Sequence, residues 1–195
     1  MSSAGVRVAA AADRDALLAT LMLAFAGDPC TRYMFAAPEA FVAGFRPFAA
    51  AMGGAAIEHG AAWIADDKAA AALWLPPGVE SDSEAMIAAI TAGIDQAKLP
   101  VLGEVGRAMA HFHPREAHWY LPLVGVDPLR QGQGFGSAIL EASLRRCDAS
   151  GLPAYLENSN PKNTPLYERF GFEAIGLVQP ADFPPMLPML RRPRP

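Results

Sequence analysis

The sequence is poor in cysteine, and this scarcity limits the kinds of fold it can support. Of 195 residues, only Cys30 and Cys147 are cysteines, and they lie far apart in the chain. Two such residues make neither a disulfide framework nor a metal-binding knuckle. We therefore predict two buried free thiols and a protein of the reducing cytoplasm.

Long apolar runs are also missing, although 52% of the residues are hydrophobic. No stretch approaches the roughly 20 apolar residues that a membrane-spanning helix needs. Residues 1–12 lack the basic start and apolar block of a secretory signal. These absences predict a soluble protein with no membrane partner.

Clustered positive charge is scarce as well. The net charge is −4 and the isoelectric point is about 5.5. A nucleic-acid surface needs clustered Lys and Arg, so we expect no nucleic-acid partner. The one basic cluster consists of Arg191, Arg192 and Arg194, and we interpret it as a solvated tail that ends a strand.

Hydrophobic periodicity predicts one domain over residues 1–195, in which helices and strands are mixed. Apolar residues recur at helical spacing in residues 13–25 and 38–52. The strongest strand signal is "HWYLPLVGV", residues 118–126, in which Pro122 removes one backbone donor. No internal repeat or low-complexity linker divides the chain, so the predicted fold class is α/β.

The stretch "VGVDPLRQGQGFGSAIL" places Gly132, Gly134 and Gly136 between an apolar strand and a helix. Such a turn favours anions, because the first amides of a helix are unpaired and carry partial positive charge. Arg130 adds a full charge, so we infer a phosphate-bearing ligand: a dinucleotide, S-adenosylmethionine or coenzyme A. The dinucleotide fingerprint fails by one residue. The G-x-G-x-G turn of methyltransferases is satisfied, but too little chain follows it for either fold.

A second motif lies downstream, at "ENSNPKNTPLYERFGF", residues 157–172. In the first motif, Gln131, Gly134 and Gly136 match the pattern of Q or R, two residues, G, one residue, then G or A. Together the two motifs resemble the GNAT N-acetyltransferase superfamily and are similar to the branch that contains puromycin N-acetyltransferase. The resemblance is firm over residues 118–175 and faint before them.

The resemblance implies a GNAT fold, in which a mixed central β-sheet is splayed between the fourth and fifth strands and flanked by helices. It also implies acetyl-coenzyme A (acetyl-CoA) as cosubstrate, with its pantetheine arm on the strand before the glycine turn and its diphosphate on the amides of the turn. The residues that would hold it are Leu123, Val124, Gly125, Val126, Arg130, Gln131, Gly132, Gln133, Gly134, Phe135, Gly136, Ser137, Asn160 and Asn163.

Two side chains of the second motif would carry the reaction. By resemblance, Tyr167 is the general acid for the departing thiolate, whose thiol has a pKa of about 8.5. Glu157 is the candidate base for an amine that attacks only when neutral, and Glu116 is a poorer candidate. A packing role for Tyr167 and a solvated or loop-fixing role for Glu157 remain alternatives.

The expected reaction is direct transfer of the acetyl group to the primary amine of a small molecule, by a monomer or homodimer. Acetylation of a protein or peptide amine and non-catalytic binding of acyl-CoA are the alternatives. His111, His113 and His118 have no adjacent Cys or Asp ligands, so we expect no metal.

The acceptor site is the least defined part of the prediction, because it falls where the resemblance is faint. Four acidic residues near the expected acceptor side favour a cationic amine: Asp28, Asp66, Asp67 and Glu80. Aromatic residues at helical spacing are usually core, which is the alternative for several candidates. The candidate contacts are Phe25, Asp28, Arg32, Tyr33, Trp74 and His118.

Overall fold

The computed structural model describes residues 5–65 and 67–194, so Asp66 lies outside the described residues. The strands are β1 (Val6–Val8), β2 (Ala62–Ala65), β3 (Ala70–Leu75), β4 (Trp119–Val126), β5 (Ala154–Asn158), β6 (Glu173–Ala174) and β7 (Leu187–Arg191). They form one seven-stranded sheet in the order β1-β2-β3-β4-β5-β7-β6. The β4–β5 pair is parallel and the other pairs are antiparallel. The predicted mixed sheet is confirmed.

The helices flank this sheet: α1 (Arg14–Phe25), α2 (Pro29–Met34), α3 (Pro38–Gly53), α4 (Ala55–Glu58), α5 (Ser83–Gly93), α6 (Leu99–Phe112), α7 (Phe135–Ser150) and α8 (Thr164–Arg169). The sequence patterns did not predict α6, because Pro100 and two glycines weaken its helical signal. Pro100 lies in the first turn, where a backbone N–H would have no partner within the helix, so the proline costs no hydrogen bond. Within the described residues, no helix is long and apolar enough to cross a bilayer.

Both faces of the central strands are covered by helices. Every residue of β2 and β3 is buried, so neither strand shows the alternation of a half-exposed strand. On one face, Trp63 and Trp74 belong to a core with apolar residues of α7. On the other face, Ile64 and Leu73 pack with apolar residues of α1 and α3.

The strands β4 and β5 separate soon after they meet. Two residue pairs join them, Trp119 with Ala154 and Tyr120 with Tyr155, and the ladder then ends. The β3–β4 register shifts at the same level, where two residues of β4 lie opposite Trp74; such a bulge bends the strand that carries it. Beyond this level, β4 pairs with β3 and β5 pairs with β7. This confirms the predicted splay between the fourth and fifth strands.

A third apolar cluster lies near the splay and joins α2 and α6 to the segment before β7. Its buried members include Cys30, Val105 and Phe183. Cys30 and Cys147 are both free and buried, as predicted. Burial raises the pKa of each thiol to about 12, so both stay protonated and unreactive at neutral pH.

The C-terminal basic cluster is only partly a solvated tail, which corrects the sequence-based interpretation. Arg191 is the last residue of β7, and its side chain is 4% exposed. Its guanidinium donates two hydrogen bonds to the Asp148 carboxylate, at 2.6 and 2.8 Å, and a third to the Phe170 carbonyl oxygen. This pair joins the end of α7 to β7. Arg192, by contrast, is exposed and pairs with Glu116.

We predict that Asp148→Asn lowers the free energy of unfolding by about 3 kcal/mol at pH 7, because the buried Arg191 charge loses its partner. Urea denaturation measures this loss. Glu141→Gln on the same helix is the matched control. Its partner Arg145 is 72% exposed, so the change should stay within about 0.5 kcal/mol.

The difference between wild type and Asp148→Asn should also depend on pH. Hydrogen bonding to Arg191 lowers the pKa of Asp148 below its usual 3.8. The stabilisation is therefore complete above the usual value and is lost as pH falls below it toward the lowered pKa. Equal losses for the two variants at pH 7, or a difference that widens in acid, would contradict this account.

Candidate active site

A cavity of about 770 Å³ occupies the space between the separated strands β4 and β5. One wall comes from β4, the glycine turn and the start of α7, and the opposite wall comes from β5, the loop after it and α8. The predicted cofactor residues that line it are Val124, Gly125, Val126, Arg130, Gln131, Gly132, Gly134, Phe135, Gly136, Ser137, Asn160 and Asn163. The fold thus brings the two sequence motifs to one cavity.

The glycine turn needs glycine for its backbone conformation at two positions. The φ angle is +74° at Gly132 and +89° at Gly134, a left-handed conformation that side chains disfavour. An added Cβ would meet nothing within 4 Å at either position. Crowding by protein atoms therefore does not explain these glycines, and the space beside them is open to a ligand.

The first amides of α7 border the same cavity, and within the described residues they have no hydrogen-bond partner. Gly134 precedes the helix and provides no side-chain cap. The first amide of the helix that bonds a carbonyl is that of Ala138, which donates to Gly134 at 3.0 Å. The amides of residues 135–137 can therefore donate to an anion, and the helix dipole favours negative charge there.

Positive side chains lie on both walls of this cavity. Arg130 is held by an ion pair with Asp67 at 2.6 Å and by the Phe135 ring below its guanidinium. Because Asp67 pairs with Arg130, it belongs to the glycine-turn side and not to the expected acceptor side. Lys162 and Arg169 line the opposite wall. Sequence reasoning missed both, because lone cations in a loop and on a short helix carry no motif.

Two predicted cofactor residues do not line the larger cavity. Leu123 pairs with Leu73 of β3 and lines a second cavity instead. Gln133 points away and holds the turn, accepting a hydrogen bond from Arg130 and donating one to the Leu129 carbonyl oxygen.

Tyr167 lies on α8 and lines the larger cavity. Its ring packs edge-on against Phe172, so the packing contact considered from sequence is present as well. Burial, and then the charge of Asp28, raises the pKa of Tyr167, so the phenol keeps its proton at neutral pH.

A second cavity of about 550 Å³ opens off the first. Five residues line both cavities: Phe25, Asp28, Pro122, Glu157 and Ser159. Apolar side chains from α2, α3, α5, α6 and the segment before β7 form most of the second cavity. No sequence pattern indicated this cavity, because its walls come from separate elements without a common motif.

Glu157 lies at the junction of the two cavities. Its side chain is only 4% exposed, and its Oε1 atom has no hydrogen-bond partner. The rings of Tyr120 and Tyr155 pack against each other in a tilted pair, with centroids 5.9 Å apart, and the charge of Glu157 acts on both. Burial, and then the charge of Glu157, raises the pKa of both. A buried carboxylate with an unpaired oxygen can accept a proton or a hydrogen bond from a ligand.

Two histidines connect Glu157 to the surface. His118 Nδ1 lies 2.8 Å from the Glu116 carbonyl oxygen and must donate to it, which leaves Nε2 of the neutral ring without a proton. Burial lowers the pKa of His118, which favours that neutral ring. His113 Nε2, 3.1 Å away, then donates to His118 Nε2. The other ring nitrogen of His113, Nδ1, lies 3.8 Å from Glu157 Oε1.

Asp28 is the other carboxylate at the junction. It caps the start of α2 by accepting a hydrogen bond from the Thr31 amide, and it accepts a second one from the Ser159 hydroxyl at 2.6 Å. Burial raises its pKa. Asp28 therefore ties α2 to the loop after β5 at the point where both cavities meet.

Four of the predicted acceptor contacts do not line either cavity. Trp74 is fully buried in the core under α7. His118 contacts His113, which lies between it and Glu157. Arg32 sits over the Phe41 ring, and Tyr33 donates a hydrogen bond to Asp182. These four residues therefore lie outside both cavities, whereas Phe25 and Asp28 line both, and their contact with an acceptor stays a prediction.

Known proteins resemble this chain in sequence. The model of the Acetyltransferase (GNAT) family matches residues 56–172 of the chain. An uncharacterized N-acetyltransferase of Schizosaccharomyces pombe is 34% identical over 144 residues, which make up 65% of this chain and 58% of that protein. The chain therefore covers less than two thirds of that relative's length.

Solved structures share the fold of this chain over nearly its whole length. A structure from Corynebacterium glutamicum, described as histone acetyltransferase HPA2 and related acetyltransferase, is 26% identical, covers 99% of this chain and 98% of that one, and gives a TM-score of 0.70. The polyamine N-acetyltransferase of Drosophila melanogaster is 18% identical, with 96% and 99% covered and a TM-score of 0.69. At that identity, the second likeness shows the fold alone.

We predict that Gly134→Asp weakens coenzyme A binding by about 100-fold, because the carboxylate would occupy the space in front of the anion-binding amides. Asp tolerates the left-handed conformation better than most residues, so the chain should fold. Gly151→Asp is the matched control. Gly151 ends the same helix with φ +68° and open space around it. Calorimetric titration with coenzyme A should detect wild-type affinity for the control, and equal affinity of both variants would contradict the site.

Proposed function

Because the chain belongs to the acetyltransferase (GNAT) family, we propose that it transfers an acetyl group from acetyl-CoA directly to the primary amine of a small molecule. The observation that carries this proposal is the buried Glu157 carboxylate at the junction of two cavities. The larger cavity suits an anionic cosubstrate, and the smaller one suits an acceptor. Their junction is where an amine and a thioester would meet.

The larger cavity fits acetyl-CoA in its donor set. The diphosphate would bind the amides of residues 135–137, and Lys162 and Arg169 offer further positive charge. The pantetheine arm would follow the edge of β4 that β5 leaves, where Val124 and Val126 line the cavity. When bound, acetyl-CoA supplies a thioester with a reactive carbonyl. Asn160 and Asn163 lie on the opposite wall, within the second motif.

Glu157 would act as the general base. An ammonium group has a pKa of about 10, so an acceptor amine must lose a proton before it attacks. The unpaired Oε1 atom of Glu157 can take that proton at the cavity junction. The Nδ1 atom of His113, 3.8 Å from Oε1, would accept it next and release it to water, because the His113 side chain is 39% exposed. His113 would thus position and discharge the base without touching the substrate.

Tyr167 would act as the general acid. Its raised pKa keeps the phenol protonated, and the ring lies on the wall of the larger cavity. A protonated phenol can donate to the sulfur atom as negative charge develops there. The nitrogen of an ammonium acceptor loses two protons overall: one would leave through Glu157 and His113 to water, and the loss of the other would balance the proton that Tyr167 delivers to sulfur.

A small acceptor is favoured over a protein or peptide by the size of the second cavity. Its volume of about 550 Å³ falls in the range of small-molecule pockets. A buried base beside the acceptor cavity further favours catalysis over simple acyl-CoA binding.

We predict that Glu157→Gln lowers kcat/KM by roughly 100-fold or more, because the amide cannot accept the amine proton. The assay follows thiol release from acetyl-CoA with a panel of primary amines, and calorimetry should show unchanged coenzyme A affinity. Glu116→Gln is the control, since its exposed side chain pairs with Arg192 outside the cavities. A Glu157→Gln variant with wild-type turnover would exclude Glu157 as the base.

We further predict that Tyr167→Phe reduces kcat by roughly 10-fold to 100-fold while KM for acetyl-CoA stays near wild type, because only the proton donor is lost. Tyr33→Phe removes a hydroxyl that bonds Asp182 away from both cavities. It should leave both constants unchanged. If the two variants behave alike in steady-state kinetics, the acid role of Tyr167 is wrong.

A further inference from the structure

The smaller cavity carries its negative charge at one end. Of the described residues that line it, only Asp28 and Glu157 are charged, and both lie on the boundary shared with the larger cavity. The rest of the wall is mainly apolar and includes five methionines: Met34, Met52, Met86, Met109 and Met186. A ligand therefore meets negative charge at the junction and hydrocarbon or thioether surface elsewhere.

The few hydroxyl groups away from the junction do not replace a carboxylate. Ser81 donates to the Met52 carbonyl oxygen at 2.7 Å, and Thr91 donates to the Ile87 carbonyl oxygen at 2.8 Å. Neither hydroxyl carries charge. A second ammonium group of a bound ligand would thus lie against a mainly apolar wall without an ionic partner, and any hydration that this wall displaces would be lost at a cost.

We propose that the acceptor is a primary monoamine whose single ammonium group is attached to an apolar body, and that the cavity rejects diamines of similar length. This inference rests on the proposed function. The amine lies at Glu157, and its alkyl or aryl body lies among the methionines and the Phe25, Phe48 and Phe183 rings. Each buried methylene strengthens binding by about fourfold, and flexible methionines fit apolar bodies of different shape.

The likeness to the polyamine enzyme does not weaken this inference. That structure shares the fold at 18% identity, and a shared fold does not determine the acceptor. A site for an extended polycation requires carboxylates along its length. Here the acidic side chains lie at one end only.

The experiment compares kcat/KM within matched pairs: butylamine against putrescine, and para-methylbenzylamine against para-xylylenediamine. Thiol release should be at least about tenfold more efficient for the monoamine of each pair, because the second charge stays unpaired. Equal or better use of the diamines overturns the inference while leaving the proposed function intact. Turnover of none of the amines by a protein that binds coenzyme A contradicts the proposed function itself.

A charge variant tests the cause of the preference. Ile87 lines the cavity from α5 and is 60% exposed, so Ile87→Glu should fold and add a carboxylate to the wall away from the junction. The efficiency ratio of diamine to monoamine should rise at least about tenfold. Val42→Glu is the matched control, because Val42 is 62% exposed on α3 and lines neither cavity. A folded Ile87→Glu variant with the ratio of the control overturns the inference.

Discussion

The structure depends on one interruption of hydrogen bonding, the early end of the parallel β4–β5 ladder. Two residue pairs join these strands, and beyond them each strand keeps only its outer neighbour. Polar backbone edges and apolar surface are costly to leave bare inside a sheet. Instead, the glycine turn, α7 and α8 border the larger cavity in the gap, and α2, α5 and α6 border the smaller cavity. Both cavities follow from this arrangement.

Charge changes along this continuous space in a way that suits two different ligands. Arg130, Lys162, Arg169 and the free amides of α7 give the larger cavity a positive character. The carboxylates of Asp28 and Glu157 make the junction negative, and the smaller cavity beyond it is apolar. The positive cavity would suit an anionic thioester, the negative junction would suit a cationic amine, and the apolar cavity would suit the body of that amine. The two histidines then give the buried junction a path for protons to the surface.

The local motifs predicted the parts of this site that depend on short stretches of chain. Gly134, Tyr167 and Glu157 lie within two such stretches, and the resemblance they carry implied the splayed sheet as well. The acceptor cavity could not be predicted, because its walls come from segments far apart in sequence. The core position of Trp74 could not be predicted, because β3 is buried on both faces and its pattern does not reveal which face a side chain occupies. Arg191 was misjudged because its partner, Asp148, lies 43 residues away in sequence.

Amide hydrogen exchange with and without acetyl-CoA tests most directly whether the splay and the turn hold this cosubstrate. The account predicts that acetyl-CoA slows exchange at the amides of residues 135–137 and along the free edge of β4, while Gly151 at the other end of α7 is unaffected. Binding of acetyl-CoA without protection at the start of α7, or protection confined to other parts of the chain, would contradict the account.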